Sequence, residues 1–215
     1  MKTGLRAFPQ TKSDPDELES SESVLCALAK SIEAKDPYTK GHCERLAAYA
    51  VHLGAVLGVG EEDQVPLWRG GFLHDLGKLA VPDSILLKPG PLDSTERKLM
   101  EQHPTVGESI CSSLQSLRAV LPIIRHHHER WDGTGYPDGL EGEAIPLAAR
   151  ILQVVDIFDA LTTPRPYRPA LPPGEALRIL REEACRGWSD PAVVKVFARI
   201  NAPLLSPPCT ATSYR

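Results

Sequence analysis

The spacing of apolar residues is the feature that most constrains how this chain can fold. Across residues 24–32 and 46–57, apolar side chains recur at intervals of three and four residues, which is the period of an α-helix with one buried face. The alternating pattern of a half-buried strand is absent from the sequence. We therefore predict an all-α protein.

Helix ends are marked by capping residues. Asp93 precedes Glu96 by three positions, as in a capping box, and Asp190 precedes Pro191, which favours an N-cap followed by proline at the first helical position. Residues 130–146 are rich in glycine and proline, which excludes a regular helix and predicts a long loop. The predicted architecture is a helical bundle that carries one long loop.

The length of 215 residues fits a single domain. Residues 1–16 and 203–215 lack helical periodicity and are predicted to be tails, which leaves residues 17–202 as the domain. No apolar run approaches the ~20 residues of a membrane helix, and the N-terminus lacks the apolar run of a secretory leader. These features favour a cytoplasmic protein.

Charge and cysteine content exclude several classes of protein. The net charge of −4 gives no overall attraction to nucleic acid or to an anionic membrane, so a phosphate compound would have to be bound by local cations. The five cysteines are odd in number and scattered, which argues against a disulfide framework or a zinc ribbon. We expect them to be reduced.

Histidine and aspartate are the residues most informative about chemistry. His74 and Asp75 are adjacent at the end of an apolar helix, and a transition metal accepts both an imidazole nitrogen and a carboxylate oxygen. A carboxylate such as Asp156, inside an apolar helical run, is costly unless it is paired or bound to a metal. The further candidates at predicted helix ends are His42, His103, His127 and His128.

Two interpretations remain open from the residues alone. Five helices could bring these side chains to one metal cluster, with Asp75 bridging two ions through its two oxygens. Alternatively, they are unrelated surface histidines and one helix-capping aspartate, because such separations also arise by chance. His52 has no ligand-type neighbour and is interpreted as a packing or surface residue.

Several motifs in a fixed order indicate a family. The chain resembles HD-GYP domains, a subgroup of the HD metal-dependent phosphohydrolases, over about residues 25–200. The resemblance is carried by residues 36–42, the GFLHDLGK segment at 71–78, residues 85–90, His103-Pro104, the HHERWDGTGYP segment at 127–137, the DIFDALT segment at 156–162, and residues 165–168.

The resemblance implies an α-helical HD core and a phosphodiesterase that hydrolyses cyclic di-GMP, a bacterial second messenger, to pGpG, GMP or both. It implies two divalent ions that supply a bridging hydroxide, with iron or manganese favoured and zinc as the alternative. The implied ligands of the first ion are His42, His74, Asp75 and Asp156. Those of the second are Asp75, His103, His127 and His128.

The family's three-metal members carry a carboxylate four residues before the first histidine of the set. Tyr38 occupies that position here, so two ions are expected rather than three. Asp75 and Lys78 are the implied catalytic residues, the first as the bridging ligand and the second as a charge directed at a phosphate oxygen. The implied substrate contacts are Asp36, Lys78, Tyr136, Arg165 and Arg168.

Three functions are open under this resemblance. The first is a cyclic di-GMP phosphodiesterase, the second a catalytically weak sensor or interaction module, and the third a phosphodiesterase for another cyclic dinucleotide such as a GMP-AMP hybrid. The presence of every expected ligand favours an enzyme. Expected partners, besides cyclic di-GMP, are a diguanylate cyclase (GGDEF) domain or a separate sensory or receiver protein at the GYP loop; no nucleic-acid polymer or membrane is expected.

Overall fold

The computed structural model of the chain describes residues 15–35, 41–164 and 168–201, with side chains from residue 22 onward. These ranges form α-helices and no β-strand, so the predicted all-α class is confirmed. The helices are α1 (Pro15–Glu33), α2 (His42–Val56), α3 (Glu61–Leu73), α4 (Asp83–Leu86), α5 (Ser94–Met100), α6 (His103–Cys111), α7 (Leu121–His126), α8 (Leu147–Thr162), α9 (Pro173–Cys185) and α10 (Pro191–Ile200), with short 3-10 helices at Leu76–Ala80, Gln115–Leu117 and Gly142–Ala144.

The predicted helix caps are present. The Asp93 carboxylate accepts from two backbone amides at the start of α5, and the Glu96 carboxylate accepts from the backbone amide of Asp93. Asp190 caps α10, whose first residue is Pro191. The predicted loop runs between α7 and α8, and it contains a short 3-10 turn at Gly142–Ala144 and one antiparallel bridge between Asp132 and Glu141.

Helix α2 lies between two groups of buried side chains. Leu46 and Leu53 pack with residues of α3, α7, α8, α9 and α10 in the first group. Cys43 and Ala47, on another face of the same helix, pack with residues of α1, α3, α6 and α7 in the second. Helix α2 therefore contacts both groups, and its first residue, His42, is itself buried.

Two glycines allow the close packing that places the site. A Cβ at Gly71 would lie 2.6 Å from the Ala47 backbone, so glycine is required where α3 crosses α2. A Cβ at Gly77 would lie 1.9 Å from the carbonyl oxygen of His103. The 3-10 helix that follows Asp75 therefore rests directly on the backbone of α6.

The predicted tails fall mostly outside the described residues. Helix α1 begins at Pro15, inside the last two residues of the predicted 1–16 tail, and the domain limits remain predictions. Of the described cysteines none is in a disulfide, and Cys43 and Cys111 are buried. None of the helices in the described ranges is long and apolar enough to cross a membrane.

Candidate metal centre

The predicted ligands converge, and most of them lie at helix ends. His42 and His103 are the first residues of α2 and α6, His74 follows α3, and His127 follows α7. The side chains form two groups in which one potential ligand atom per residue lies within 4.8 Å of the others. The first group is His42, His74 and Asp156; the second is Asp75, His103, His127 and His128.

Three of the histidines share one hydrogen-bonding arrangement. Each Nδ1 lies beside the carbonyl oxygen three residues earlier: His74 with Gly71 at 3.2 Å, His103 with Met100 at 2.8 Å, and His127 with Ile124 at 2.8 Å. A carbonyl oxygen only accepts, so each Nδ1 carries the proton. Each Nε2 is then left with an unprotonated lone pair directed into the site, which is the form that binds a metal.

His42 is oriented differently, by a carboxylate. Its Nδ1 donates to Asp159 Oδ2 at 2.8 Å, and its Nε2 lies 3.6 Å from Asp156 Oδ1. Arg45 donates two further bonds to Asp159, at 2.5 and 2.9 Å. Burial raises the pKa of Asp159, but the bonds from His42 and Arg45 outweigh it and hold that pKa below its usual range.

Sequence reasoning did not assign a role to Asp159. It lies three residues after Asp156 on α8, so both carboxylates share one face of the helix. That spacing was the available signal. Its side chain is 4% exposed, which identifies it as a buried support for His42 rather than a surface charge.

Glu33 is a second supporting residue that sequence reasoning missed. Gly41, the N-cap of α2, offers no side-chain cap, and the Glu33 carboxylate takes its place by accepting from the backbone amides of His42 at 3.1 Å and Cys43 at 3.2 Å. A carboxylate at a helix N-terminus also complements the helix dipole. Glu33 thus fixes the backbone from which His42 projects.

Lone pairs face one another within the centre. His103 Nε2 and His127 Nε2 are 3.3 Å apart, and neither carries the proton that a hydrogen bond between them would need. His74 Nε2 and Asp75 Oδ1 are buried without a hydrogen-bond partner among the described residues. Buried acceptors left in this way are costly, and a divalent cation would convert them into ligands. The donor set therefore fits a metal centre.

Two histidines of the centre have pKa values that favour the neutral, metal-binding form. Burial, followed by the neighbouring His128 and His74 rings, holds the pKa of His127 well below its usual value, so this imidazole is neutral near pH 7. Burial and the nearby His103 do the same for His128. For His74, burial acts to lower the pKa, but the Asp75 carboxylate raises it overall.

Asp75 links the two groups. Its Oδ1 lies 3.3 Å from His103 Nε2 in the second group, and its Oδ2 lies 3.3 Å from His74 Nε2 in the first. Lys78 Nζ donates to Oδ2 at 2.5 Å. Burial raises the pKa of Asp75, but Lys78 and His74 outweigh it and hold that pKa well below its usual range. The carboxylate is therefore ionised, with one oxygen toward each group.

Tyr136 of the GYP loop packs against the centre. Its ring stacks on His128 with centroids 4.8 Å apart and planes 28° apart. Burial, and then the Asp75 carboxylate, raises the pKa of its hydroxyl, so the phenol stays neutral. The peptide bond to Pro137 is cis. Tyr136 thus covers one side of the histidine cluster.

Two cavities are each lined by both His128 and Asp156. The smaller cavity, of about 280 Å³, has Lys78 and several apolar side chains in its lining, among them Ile32, Phe72 and Met100. The larger cavity, of about 390 Å³, is lined mainly by polar and charged groups from the GYP loop, α8 and the end of α9. The two cavities therefore differ in character, and the smaller one has more apolar side chains in its lining.

The remaining candidate residues are placed as follows. Lys78 lines the smaller cavity. Arg168 donates from Nη2 to the carbonyl oxygen of Ala160 at 2.6 Å, and its buried Nη1 has no partner among the described residues. His126 lies outside both ligand groups and contacts Asp138 at 3.0 Å. Asp36, Tyr38 and Arg165 lie outside the described residues.

Comparison with known proteins places the chain in a family. A family model described as an HD domain matches residues 27–193. The chain belongs to the HD domain family. The HD assignment agrees with the resemblance drawn from the sequence. One solved structure with a similar fold is described as Bd1817, an HDG"Y"P protein from Bdellovibrio bacteriovorus. That structure covers 88% of this chain and 66% of its own at 20% identity, and its TM-score of 0.64 supports the fold.

Two curated relatives are each 42% identical to this HD domain. One is 3′3′-cGAMP-specific phosphodiesterase 3 of Vibrio cholerae, matched over 161 residues, which are 75% of this chain and 35% of the relative. The other is cyclic di-GMP phosphodiesterase response regulator RpfG of Xanthomonas campestris, matched over 188 residues, 86% of this chain and 50% of the relative. The chain thus spans half or less of the length of these two relatives.

Proposed function

We propose that this HD domain is a metal-dependent phosphodiesterase that hydrolyses a cyclic dinucleotide, with cyclic di-GMP as the first candidate. The observation that carries the proposal is the pair of ligand groups joined by Asp75, whose two oxygens lie 3.3 Å from His103 Nε2 and His74 Nε2. Two adjacent ions are suited to phosphodiester hydrolysis. The name of the relative RpfG supports cyclic di-GMP as the substrate.

The proposed centre holds two divalent ions. His42, His74, Asp75 and Asp156 hold the first ion, and Asp75, His103, His127 and His128 hold the second. Mixed imidazole and carboxylate donors suit iron or manganese and also accept zinc. His42 depends on Asp159 for its tautomer, because a carboxylate can only accept the Nδ1 proton.

The reaction is the addition of water to one phosphorus atom of the substrate. The bond to the ribose 3′-oxygen breaks, that oxygen leaves with a proton, and the product is linear pGpG; a second hydrolysis gives GMP. Bound ions lower the pKa of water and offset charge on the phosphoryl oxygens. Lys78 adds a positive charge beside Asp75, and it lines the smaller cavity from which a phosphate would approach.

The two cavities suit a cyclic dinucleotide. Both are lined by His128 and Asp156, so a phosphodiester bound at the centre would leave one base for each cavity. Tyr136 stacks on His128 at the edge of the larger cavity, where it would contact one base. Arg168, with a buried and unpartnered Nη1, is the further candidate for a phosphate contact among the described residues.

A second substrate has specific support. The relative from Vibrio cholerae is named a 3′3′-cGAMP-specific phosphodiesterase and is as similar to this chain as RpfG is. Both cyclic di-GMP and 3′3′-cGAMP contain guanine. We therefore include the hybrid as the alternative substrate. A GGDEF or receiver protein that docks at the GYP loop remains a proposed partner.

The test is purification without oxygen, measurement of iron, manganese and zinc content, and assay of cyclic di-GMP and 3′3′-cGAMP turnover by chromatography. We expect about two ions per chain and release of a linear dinucleotide or mononucleotide. Asp75→Asn should lose metal and turnover together, whereas Asp63→Asn, at an exposed position on α3, should retain both. Tight binding of a cyclic dinucleotide without turnover in any metal state would instead indicate a sensor.

A further inference from the structure

The larger cavity contains an arginine and a glutamate that are not paired with each other. Arg130 and Glu183 both line it, and neither forms an ion pair within 4 Å with any residue of the described ranges. Burial raises the pKa of Glu183 above its usual value, which indicates a carboxylate partly removed from water. A cation and an anion that are both half-buried in one cavity, without an ion pair between them, are suited to a ligand that binds both.

Hydrogen bonds join the loop that carries Arg130 to the end of α9, which carries Glu183. Asp132 N donates to Gly187 O at 2.8 Å, which joins the GYP loop to the end of α9. Trp188 N donates to Glu183 O at 2.9 Å, and the Arg130 guanidinium lies 4.4 Å from the centre of the Trp188 ring. These contacts hold the Arg130 guanidinium and the backbone of Glu183 against the same segment.

A further polar group lies in the same wall without a partner. Ser189 is fully buried, its hydroxyl has no hydrogen-bond partner among the described residues, and it lines the larger cavity. Buried hydroxyls are normally hydrogen-bonded. The larger cavity therefore offers an unpaired cation, an unpaired anion and an unsatisfied hydroxyl beside the aromatic rings of Tyr136 and Trp188.

We infer that the larger cavity is a guanine-reading subsite in which Glu183 and Arg130 select the base. Guanine presents N1–H and its 2-amino group side by side as donors, and a carboxylate accepts from both. It also presents O6 and N7 as adjacent acceptors, which a guanidinium binds in a bidentate manner. Adenine has no such pair of donors for a carboxylate. Tyr136 supplies an aromatic surface on which a base stacks.

Among the described residues, the smaller cavity has no equivalent pair of groups that would select a base. Its lining contains Ile32, Phe72, Leu86 and Met100, and its one carboxylate outside the metal centre, Glu33, accepts from two backbone amides at the start of α2. It therefore accepts a purine without distinguishing guanine from adenine. One guanine is then sufficient, so cyclic di-GMP and 3′3′-cGAMP are accepted and cyclic di-AMP is rejected. This inference rests on the proposed function, because it assigns substrate preference to that site.

The experiment compares kcat/KM and dissociation constants of the metal-loaded protein for the three cyclic dinucleotides. The wild type should favour the two guanine-containing substrates over cyclic di-AMP by about 100-fold or more, since a site built to bond to a donor rejects a ligand that lacks it. Glu183→Gln should reduce that preference at least tenfold, because it weakens the binding of the guanine-containing substrates. The matched control is Glu182→Gln, at an exposed neighbouring position, which should keep the wild-type preference. Hydrolysis of bis(4-nitrophenyl) phosphate, which has no base, normalises the activity of each preparation.

The outcomes separate this inference from the proposed function. Equal use of cyclic di-AMP by the wild type, or an equal effect of Glu183→Gln on all three ligands, overturns the guanine subsite and leaves the phosphodiesterase intact. Guanine-selective binding that is lost in Glu183→Gln, without turnover, supports the subsite and overturns the phosphodiesterase. Failure of all three ligands to bind overturns both.

Discussion

Asp159 accepts the Nδ1 proton of His42 at 2.8 Å, although the two residues lie 117 positions apart in the chain. Arg45 holds the other side of the same carboxylate. The bond leaves His42 Nε2 directed toward Asp156. Metal affinity should therefore depend on a residue that is not itself a proposed ligand.

We expect Asp159→Asn to weaken metal binding by about 10- to 100-fold, because the amide does not supply the negative charge that supports the His42 tautomer. The measurement is the metal content retained after dialysis against graded concentrations of a chelator. Asp63→Asn, exposed on α3, should retain the wild-type content. Equal retention by the two variants would show that Asp159 does not support the centre.

Gly77→Ala should destabilise the fold and the centre together. The added Cβ would lie 1.9 Å from the His103 carbonyl oxygen and 2.5 Å from Gly107 N, so the 3-10 helix must move away from α6. Overpacking of this kind costs about 1–3 kcal/mol in the free energy of unfolding. It also displaces Asp75 from His103, and metal content should fall.

The control for that substitution is Gly60→Ala. Gly60 has φ −63°, and a Cβ there would meet nothing within 4 Å. The free energy of unfolding of the Gly60→Ala protein, measured by urea denaturation, should differ from that of the wild type by less than about 1 kcal/mol. A Gly77→Ala protein as stable as the Gly60→Ala protein would contradict the close contact with α6.

The ion pair of Asp138 with Arg125 predicts a pH dependence. Arg125 and then His126 hold the pKa of Asp138 at about 2, below the 3.8 of the unfolded chain, while burial opposes the shift. A lowered carboxyl pKa gives stability that is present above pH 4 and is lost as pH falls toward 2, because the unfolded chain then binds the proton first. Since the carboxylate is about one-third exposed, we expect a contribution of no more than about 1 kcal/mol.

The corresponding variant is Asp138→Asn, compared with the wild type by urea denaturation at pH 7 and pH 3. The variant should be less stable at pH 7, and the difference should shrink as the pH is lowered. Asp63→Asn serves again as the exposed control. The same difference in stability between variant and wild type at both pH values would show that the ion pair is not its cause.

Tyr136 should support His128 through its ring and not through its hydroxyl. Tyr136→Phe keeps the stacked ring and should change the free energy of unfolding by less than about 1 kcal/mol, whereas Tyr136→Ala should cost about 1–3 kcal/mol. The alanine variant should also raise KM for a cyclic dinucleotide more than the phenylalanine variant does. Thermal unfolding and initial rates measure the two effects. Similar behaviour of the two variants would show that the stack contributes little.

The sequence was sufficient to predict the all-α fold and the side chains that meet at the centre. Apolar periodicity located the helices, and His42, His103 and Asp156 stood out because they occupy helix ends or an apolar run. The HD-GYP motifs added their expected grouping. The structure brings these side chains together in two groups that match that grouping.

The supporting residues could not be predicted from local patterns. Glu33 caps α2 from the end of α1, and this depends on how two helices pack. Glu183 and Trp188 reach the larger cavity because the α9 end pairs with the GYP loop. Such contacts join segments that are distant in the chain, and neither helical period nor capping signals encode them.

The position of α2 between two groups of buried side chains has a consequence for how the protein matures. The proposed ligands come from segments between α2 and α8. The complete set of ligands is therefore assembled only after both groups of buried side chains have packed. If the proposed ions bind, their uptake should follow folding, and they should slow the opening of either group of buried side chains.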